Sequence, residues 1–417
     1  MKNRELKRVV VTGMGAVTPI GNTVAEYWQA LLAGRSGADF ITRFDAENHA
    51  TKFACEVKGF DGAERLDRKT ANRTDLFTQY ALVAAGEALE ASGIDFEKLD
   101  NDRAGVVFGS GIGGMWTYHH QFRNYMEHGP RRISPFFIPM LIADIAAGQI
   151  SMRYNLRGPN YATTSACATS SNAIADAFIL LERGDADMML TGGSEAVVTP
   201  MAIGGFNAMK ALSKRNDSPA TASRPYDTER DGFVLGEGGG VLVLETLDHA
   251  RARGAEIHAE ICGVGLSGDA YHLTAPHPEG EGARRSMAAS LRDAEVDPSE
   301  VDYINVHGTS TPLGDIAEVK GIEALFGDHT KDLLISATKS MTGHLLGAAG
   351  AIEAIATIMT VKEGIVHPTI NNENPDPAIA IDFVPNKSRT ADVRVAISNT
   401  FGFGGHNASI CLKRFEE

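Results

Sequence analysis

The chain has 417 residues, 43% of them hydrophobic and 22% charged, with a formal net charge of −14. This is an ordinary soluble composition with ample length for a large core, and its acidity excludes nucleic acid as the main partner. The four cysteines, Cys55, Cys167, Cys262 and Cys411, lie far apart without CxxC or finger-like spacing, which excludes a disulfide framework and a zinc ribbon and fits a reducing cytoplasm.

In chain order, basic residues precede the apolar run "RVVVTGMG" (8–15). That run is short, breaks on glycine and has no cleavage site behind it, so it reads as a first strand and not a signal peptide. Further β-branched runs follow at 104–111, 161–167, 187–196 and 239–245, then at 259–267, 302–310, 333–340, 394–405 and 408–413. Helical patterns fall between them at 168–183, 283–295 and 349–362, the alternation of an α/β layered fold. The most apolar stretch, 345–361, carries Glu353 and several glycines; it is too short and polar to cross a bilayer and reads as a buried helix, without membrane insertion.

The ten runs form two sets of five, a rough internal duplication. The third member of each set leads into a helix through small residues, "SACATS" in one and "KSMTGH" in the other. The expected architecture is two mostly parallel mixed sheets with helices, related by a pseudo-twofold and packed as a five-layer αβαβα sandwich, with halves at 1–256 and 257–417. Stretches 112–160 and 197–237 have no counterpart in the second half and are expected to form lids, pocket walls or subunit contacts.

Cys167 sits where a strand gives way to a helix whose Ile174, Phe178 and Leu181 share a face. A helix N-terminus favours thiolate, so a lowered thiol pKa is expected, and the small neighbours leave room for a substrate. A packed core cysteine would look the same in this window. His307 ends a strand-like run, and His344 lies in the second-half stretch that matches the cysteine turn; strand ends of this kind open on ligand crevices. The turn "SNTFGFGGHNAS" (398–409) is either a structural hairpin or a source of backbone donors, the N–H of Phe403 with that of Cys167 forming a site for a developing oxyanion.

"VVFGSGIGG" satisfies GxGxxG at Gly109, Gly111 and Gly114 but lacks the acidic strand end about 20 residues on, so dinucleotide binding is rejected. No HExxH, EF-hand loop or P-loop lysine occurs, and no metal is expected.

The motifs "SACATS", "RPYDTERDGFVLGEGGGVLVLE" (224–245), "VHGTSTPLGD" (306–315), "TKSMTGHLLGAAGAIE" (338–353), "PTINNENPD" (368–376) and "NTFGFGGHN" (399–407) run the length of the chain. Together they resemble the β-ketoacyl-acyl carrier protein synthases, elongating condensing enzymes of the thiolase superfamily, with most likeness to the synthase II branch. The resemblance implies a thiolase-like fold and acyl transfer to Cys167 from an acyl carrier protein. Malonyl thioester then decarboxylates, His307 and His344 donate to its oxygen as neutral imidazoles, and carbon–carbon bond formation follows. A Cys-His-His set implies elongation; the initiating synthases have Cys-His-Asn. Thiolases proper need a second cysteine in the closing turn, and 399–407 has none. A chain-length partner subunit would lack the nucleophile.

The same resemblance implies that Lys339 forms a buried charged network with Asp315, Glu318 and Glu353. It assigns Thr309, Thr311 and, more weakly, Thr274 to the phosphopantetheine arm. Ile112 falls to the acyl pocket at a dimer interface, Phe401 to substrate binding and Phe403 to gating. Arg65, Arg68, Lys69, Arg131 and Lys210 match basic residues that dock the acidic carrier. No cofactor of the chain's own is implied, since phosphopantetheine arrives on the carrier. His406 and Ala275 depart from the family pattern; the first reads as a loop variant, the second puts one pantetheine contact in doubt.

Overall fold

The computed structural model describes residues 6–416; the basic residues Lys2 and Arg4 of the N-terminal reading lie outside them. Ten strands form the main sheet: β1 (Val9–Val17), β2 (Ala104–Gly109), β3 (Asn160–Tyr161), β4 (Met188–Glu195), β5 (Gly238–Thr246), β6 (Ala259–Gly268), β7 (Tyr303–Asn305), β8 (Leu334–Ser336), β9 (Val395–Gly402) and β10 (His406–Lys413). Their order is β8-β7-β9-β10-β6-β1-β5-β4-β2-β3.

Read from each outer edge inward, the halves are β3-β2-β4-β5-β1 and β8-β7-β9-β10-β6, so adding five to each strand of the first gives the second. Strand directions repeat as well. The pairs β2/β3, β2/β4, β7/β8 and β7/β9 are parallel, whereas β4/β5, β1/β5, β9/β10 and β6/β10 are antiparallel. The duplication therefore holds to the level of hydrogen-bond pattern. The two expected sheets are joined, however. Val9, Val10 and Val11 of β1 pair with Ile261, Glu260 and Ala259 of β6, so the halves form one continuous ladder.

Helices α1 (Leu76–Ser92), α2 (Met115–His128), α3 (Ile145–Tyr154), α4 (Thr169–Glu182), α5 (Glu281–Asp293), α6 (Pro312–Phe326) and α7 (Ala349–Glu363) complete the layers. α1 packs on β1, β4 and β5 and α3 on β2, outside the first half; α5 packs on β6 and β10, with α6 beside it, outside the second. α4 and α7 touch each other and strands of both halves, giving helix, sheet, helix, sheet, helix. Between two sheets a helix must be apolar all round, and α7 is buried from Ala349 through Ile358. That is why 345–361 is so hydrophobic. β1, β4 and β5 are covered on both faces and buried at every residue, which explains their unbroken apolar runs.

The second and third runs of the second half, and the third of the first, are shorter than their sequence patterns. β3, β7 and β8 have two or three residues, and the remainder leaves the sheet to build the site. The unmatched stretch 112–160 holds α2 and α3 and leaves Tyr118, Phe122, Tyr125, Met126, Ile138 and Met152 exposed. The other, 197–237, supplies Phe206, Met209, Lys210 and Phe233 to a cavity wall. Among the described residues no helix is long and apolar enough to cross a membrane.

Candidate active site

Cys167 lies in the single 3-10 turn Ala166–Ala168 that runs into α4; Leu346–Ala348 is the same turn at the head of α7. Both open on a left-handed non-glycine residue, Ala166 at φ 50° and Leu346 at φ 48°, a conformation costing on the order of 1 kcal/mol or more. The positional counterpart of Cys167 is thus Gly347, and His344 stands three residues ahead of it, finer than the sequence pattern resolved. His344 is anchored by its N–H to Val234 O at 2.7 Å and by its carbonyl, which accepts Gly236 N–H at 2.9 Å. His307 follows β7, where its own N–H and that of Gly308 donate to the Glu318 carboxylate on α6 at 2.7 and 2.8 Å.

These three elements bring Cys167, His307 and His344 together, with one ligand atom of each within 4.8 Å of the others. His344 Nε2 is 3.0 Å from Cys167 Sγ, and the two imidazoles stand nearly perpendicular with centroids 5.2 Å apart. They face a cavity of about 510 Å³ lined also by Ile112, Thr274, Thr309, Thr311, Phe401 and Phe403. Thr309 and Thr311 share a hydroxyl hydrogen bond of 2.9 Å, and the Phe401 ring lies 5.8 Å from that of His307.

Burial and the nearby Lys339 ammonium hold His307 and His344 well below the usual imidazole pKa, so both are neutral near pH 7. The thiol departs from the expectation of a lowered pKa. Burial pushes Cys167 up to about 11, against the backbone N–H groups of Phe403 and Cys167 itself and the Lys339 charge, which favour thiolate. The sulfur is closed off, Cys167 being 6% exposed, and desolvation outweighs the helix terminus. The two N–H groups aimed at Sγ are the pair expected to cradle an oxyanion. Gly402 permits their convergence, because a Cβ there would sit 3.0 Å from Cys167 N and from Ser165 O.

Within the buried charged network, Glu318 feels both the Lys339 and the Asp315 charges, but the direct ion pairs fall on different partners. Lys339 pairs with Glu353, both fully buried, and Thr338 Oγ1 donates to Glu353 Oε1 at 2.9 Å. Asp315 is not part of that pair. It lies 3.5 Å from Arg230 Nε and accepts the N–H of Tyr226 and Ser310, and burial raises it to about 6. Arg230 stands in the 197–237 stretch, so Asp315 ties that wall to α6. Glu318 is raised by burial to about 7.

Of the basic residues expected to dock a carrier, Lys210 lines the cavity. Arg65, Arg68 and Lys69 are exposed on the short helices Gly62–Arg65 and Arg68–Ala71, and Arg131 is exposed in the turn Pro130–Arg132. His406 is exposed at the base of the β9–β10 hairpin, and Ala275 lines the cavity. Two site residues escaped sequence reading. Phe233 sets its ring edge-on to His344 at 5.4 Å. Glu195, fully buried, ends β4 against the cavity; a carboxylate closing the apolar run "MMLTGGSEA" (188–196) was the available signal.

Residues 6–250 match the family described as "Beta-ketoacyl synthase, N-terminal domain", and 258–373 match "Beta-ketoacyl synthase, C-terminal domain". A 3-oxoacyl-[acyl-carrier-protein] synthase 2 of Staphylococcus aureus is 53% identical over 98% of this chain and 99% of its own. The protein of that name from Synechocystis is 50% identical over 100% of both. Among solved structures, a chain of AntDE:AntF, a type II PKS acyl-carrier protein in complex with its ketosynthase bound to the hexaketide, superposes with a TM-score of 0.91 at 32% identity, covering 99% of this chain and 100% of that one. With its two halves matched in order, the chain belongs to the beta-ketoacyl synthase family.

Proposed function

We propose that the protein is a synthase II that catalyses the decarboxylating condensation of malonyl-acyl carrier protein with an acyl chain held on Cys167, giving 3-oxoacyl-acyl carrier protein in fatty acid elongation. The observation that carries this reading is the convergence of one sulfur and two neutral imidazoles within 4.8 Å at the floor of the cavity. The chemistry divides in two. Cys167 sulfur first displaces the carrier thiol from the acyl thioester, and that thiol leaves with the cysteine's proton. The malonyl thioester then enters, and its C–CO₂ bond breaks to leave the electron pair in an enolate.

The enolate carries charge on the thioester oxygen, where His307 and His344 donate without needing a proton from solvent. Its carbon attacks the acyl carbonyl, whose oxygen becomes an oxyanion facing the N–H groups of Cys167 and Phe403. Collapse expels the cysteine sulfur, which takes up a proton from solvent in place of the one lost with the first carrier thiol and is ready again. Thr309, Thr311 and Thr274 on the cavity wall hold the pantetheine amides, Ile112 and Phe401 bound the acyl chain, and Phe403 admits it.

No cofactor resident on this chain is required, because the pantetheine thiol comes with the carrier. Arg65, Arg68, Lys69, Arg131 and Lys210 receive that acidic partner. The many exposed apolar side chains of 112–160 support a homodimer, since large exposed apolar surface marks an interaction site. The four free cysteines fit a cytoplasmic setting. The likeness to the AntDE:AntF ketosynthase favours one alternative, the same chemistry on a polyketide; identities of 50 to 53% to the 3-oxoacyl synthases favour fatty acid elongation.

The test is mass spectrometry after incubation with an acyl-carrier thioester. The acyl mass is expected on the peptide holding Cys167 and absent from the Cys167→Ala variant. An acyl group on any other residue, or on none, would refute the reading. Extension of saturated chains, and not of poly-β-keto chains, separates the two pathways.

A further inference from the structure

Glu195 has no role in the chemistry above, yet its carboxylate is among the most heavily bonded groups of the cavity. Oε1 accepts Ser110 Oγ at 3.0 Å and Ile112 N–H at 3.2 Å; Oε2 accepts Gly111 N–H at 2.9 Å and Gly347 N–H at 3.1 Å. Gly111 and Ile112 line the cavity in the first half, directly behind the buried Ser110. Gly347 belongs to the second half, three residues beyond His344, in the turn that mirrors that of Cys167. One side chain therefore joins the wall to the catalytic turn across the pseudo-twofold. Gly111 and Gly347 give it room, since a Cβ at either would lie 2.7 Å from Oε2.

The carboxylate is fully buried and, among the described residues, no cation pairs with it in a salt bridge. Four neutral donors hold it instead, and burial lifts it to about 7. Its field acts on Cys167, making thiolate harder to form. The other titratable or charged groups around that sulfur are His307, His344, Lys339 and Glu318, and Lys339 acts in the opposite sense.

We infer that Glu195 is a positioning residue, a buried anionic clamp that fixes the Gly111–Ile112 wall against the His344–Gly347 turn. This rests on the reading of Cys167 as the acyl acceptor. It gives the carboxylate two separable attributes, reach and charge. Glu195→Gln keeps the size and removes the charge and two acceptor sites. Glu195→Asp keeps the charge and shortens the reach by one methylene.

The experiment measures iodoacetamide alkylation of Cys167 by mass spectrometry between pH 6 and 9, and KM and kcat for short and long acyl-carrier thioesters. In Glu195→Gln, alkylation at pH 8 to 9, where the wild-type Glu195 is ionised, is expected to become roughly threefold faster, because removing a negative charge lowers the thiol pKa, and the difference should shrink towards pH 6. Both variants are expected to raise KM for long acyl chains more than for short ones. In Glu195→Asp alkylation stays near the wild-type rate. Unchanged or slower alkylation in Glu195→Gln at pH 8 to 9, or an unchanged chain-length preference in both variants, would overturn the inference. If Glu195→Gln does not fold, the chain-length preference of Glu195→Asp decides alone. Alkylation reads the thiol without any condensation, so absence of acyl transfer in the wild type would sink the proposed reaction while leaving the charge result interpretable.

Discussion

His344 Nδ1 accepts the backbone N–H of Leu346 at 3.3 Å, which leaves Nε2 to carry the ring proton 3.0 Å from Cys167 Sγ. The tautomer is thereby set by the chain's own turn, and the imidazole is a donor aimed at the Cys167 sulfur. His344→Ala should lower decarboxylation of malonyl thioester by about 10² to 10³, the usual worth of one oxyanion donor. Release of CO₂ from labelled malonyl-acyl carrier protein measures it, and wild-type rates in that variant would remove His344 from the reaction. Cys167→Gln, which spares both imidazoles and the backbone donors, should still decarboxylate.

The pH dependence follows from the direction of each shift. A thiol raised to about 11 is protonated throughout the neutral range, so alkylation of Cys167 should climb through pH 9 without levelling off. The two imidazoles are held well below their ordinary range and lose no donor between pH 6 and 8. Decarboxylation in the Cys167→Gln variant should therefore be flat over that window. A thiol titration near pH 7, or a loss of decarboxylation on falling from pH 8 to 6, would contradict the assignment.

The duplication and the cluster of Cys167, His307 and His344 were legible because they rest on short-range signals: β-branched runs, small residues ahead of helices, histidines at strand ends. Where β3, β7 and β8 stop was not, since Thr163, Thr164 and Ser165 have strand-like chemistry but leave the sheet to turn into α4. The thiol pKa was misjudged for a related reason. A helix terminus can be read from a window of sequence, whereas desolvation depends on the walls supplied by 197–237 and by β9. Asp315 likewise sits in the family motif, and only packing reveals that its counter-ion is Arg230 and not Lys339. Glu195 binds residues 83 to 152 positions away, a constellation that no local pattern displays.

Lys339 and Glu353 form a buried ion pair, and removing one member strands the other. Lys339→Met should destabilise the protein by about 3 to 5 kcal/mol, as the loss of one partner of a buried pair does. Lys339→Met with Glu353→Leu should recover much of that loss in a denaturant midpoint while leaving activity low, because the Lys339 charge that favours the Cys167 thiolate, and that adds to burial in holding His307 and His344 neutral, is gone. Equal stability of the single and double variants would show that the pair contributes by packing alone.

Carrier docking can be separated from catalysis by charge. Lys69 and Lys210 are exposed, and Lys210 lines the cavity. The combined Lys69→Glu and Lys210→Glu variant should raise KM for acyl-carrier substrates, more strongly at low ionic strength, and spare acyl-CoA analogues that lack the acidic protein. Steady-state kinetics on the two substrate forms provide the comparison. Equal losses on both would place these lysines in folding or chemistry instead of docking.

Gly402 gives the most local test of the oxyanion site. A methyl group at this position would stand 3.0 Å from Cys167 N and Ser165 O and 3.2 Å from Ala168 N, so the cysteine turn or the end of β9 must give by a few tenths of an ångström. The same displacement moves the Phe403 N–H, which follows in the chain, away from the Cys167 N–H. Misaligned donors cost catalysis more than binding, because their contribution grows as charge develops on the oxygen. Gly402→Ala should therefore lower kcat by about 10² with little change in KM, while the thiol still reacts with iodoacetamide. An increase in KM at constant kcat would mean that the glycine serves passage of the acyl chain past Phe403, and the backbone donors would then lose their place in the mechanism.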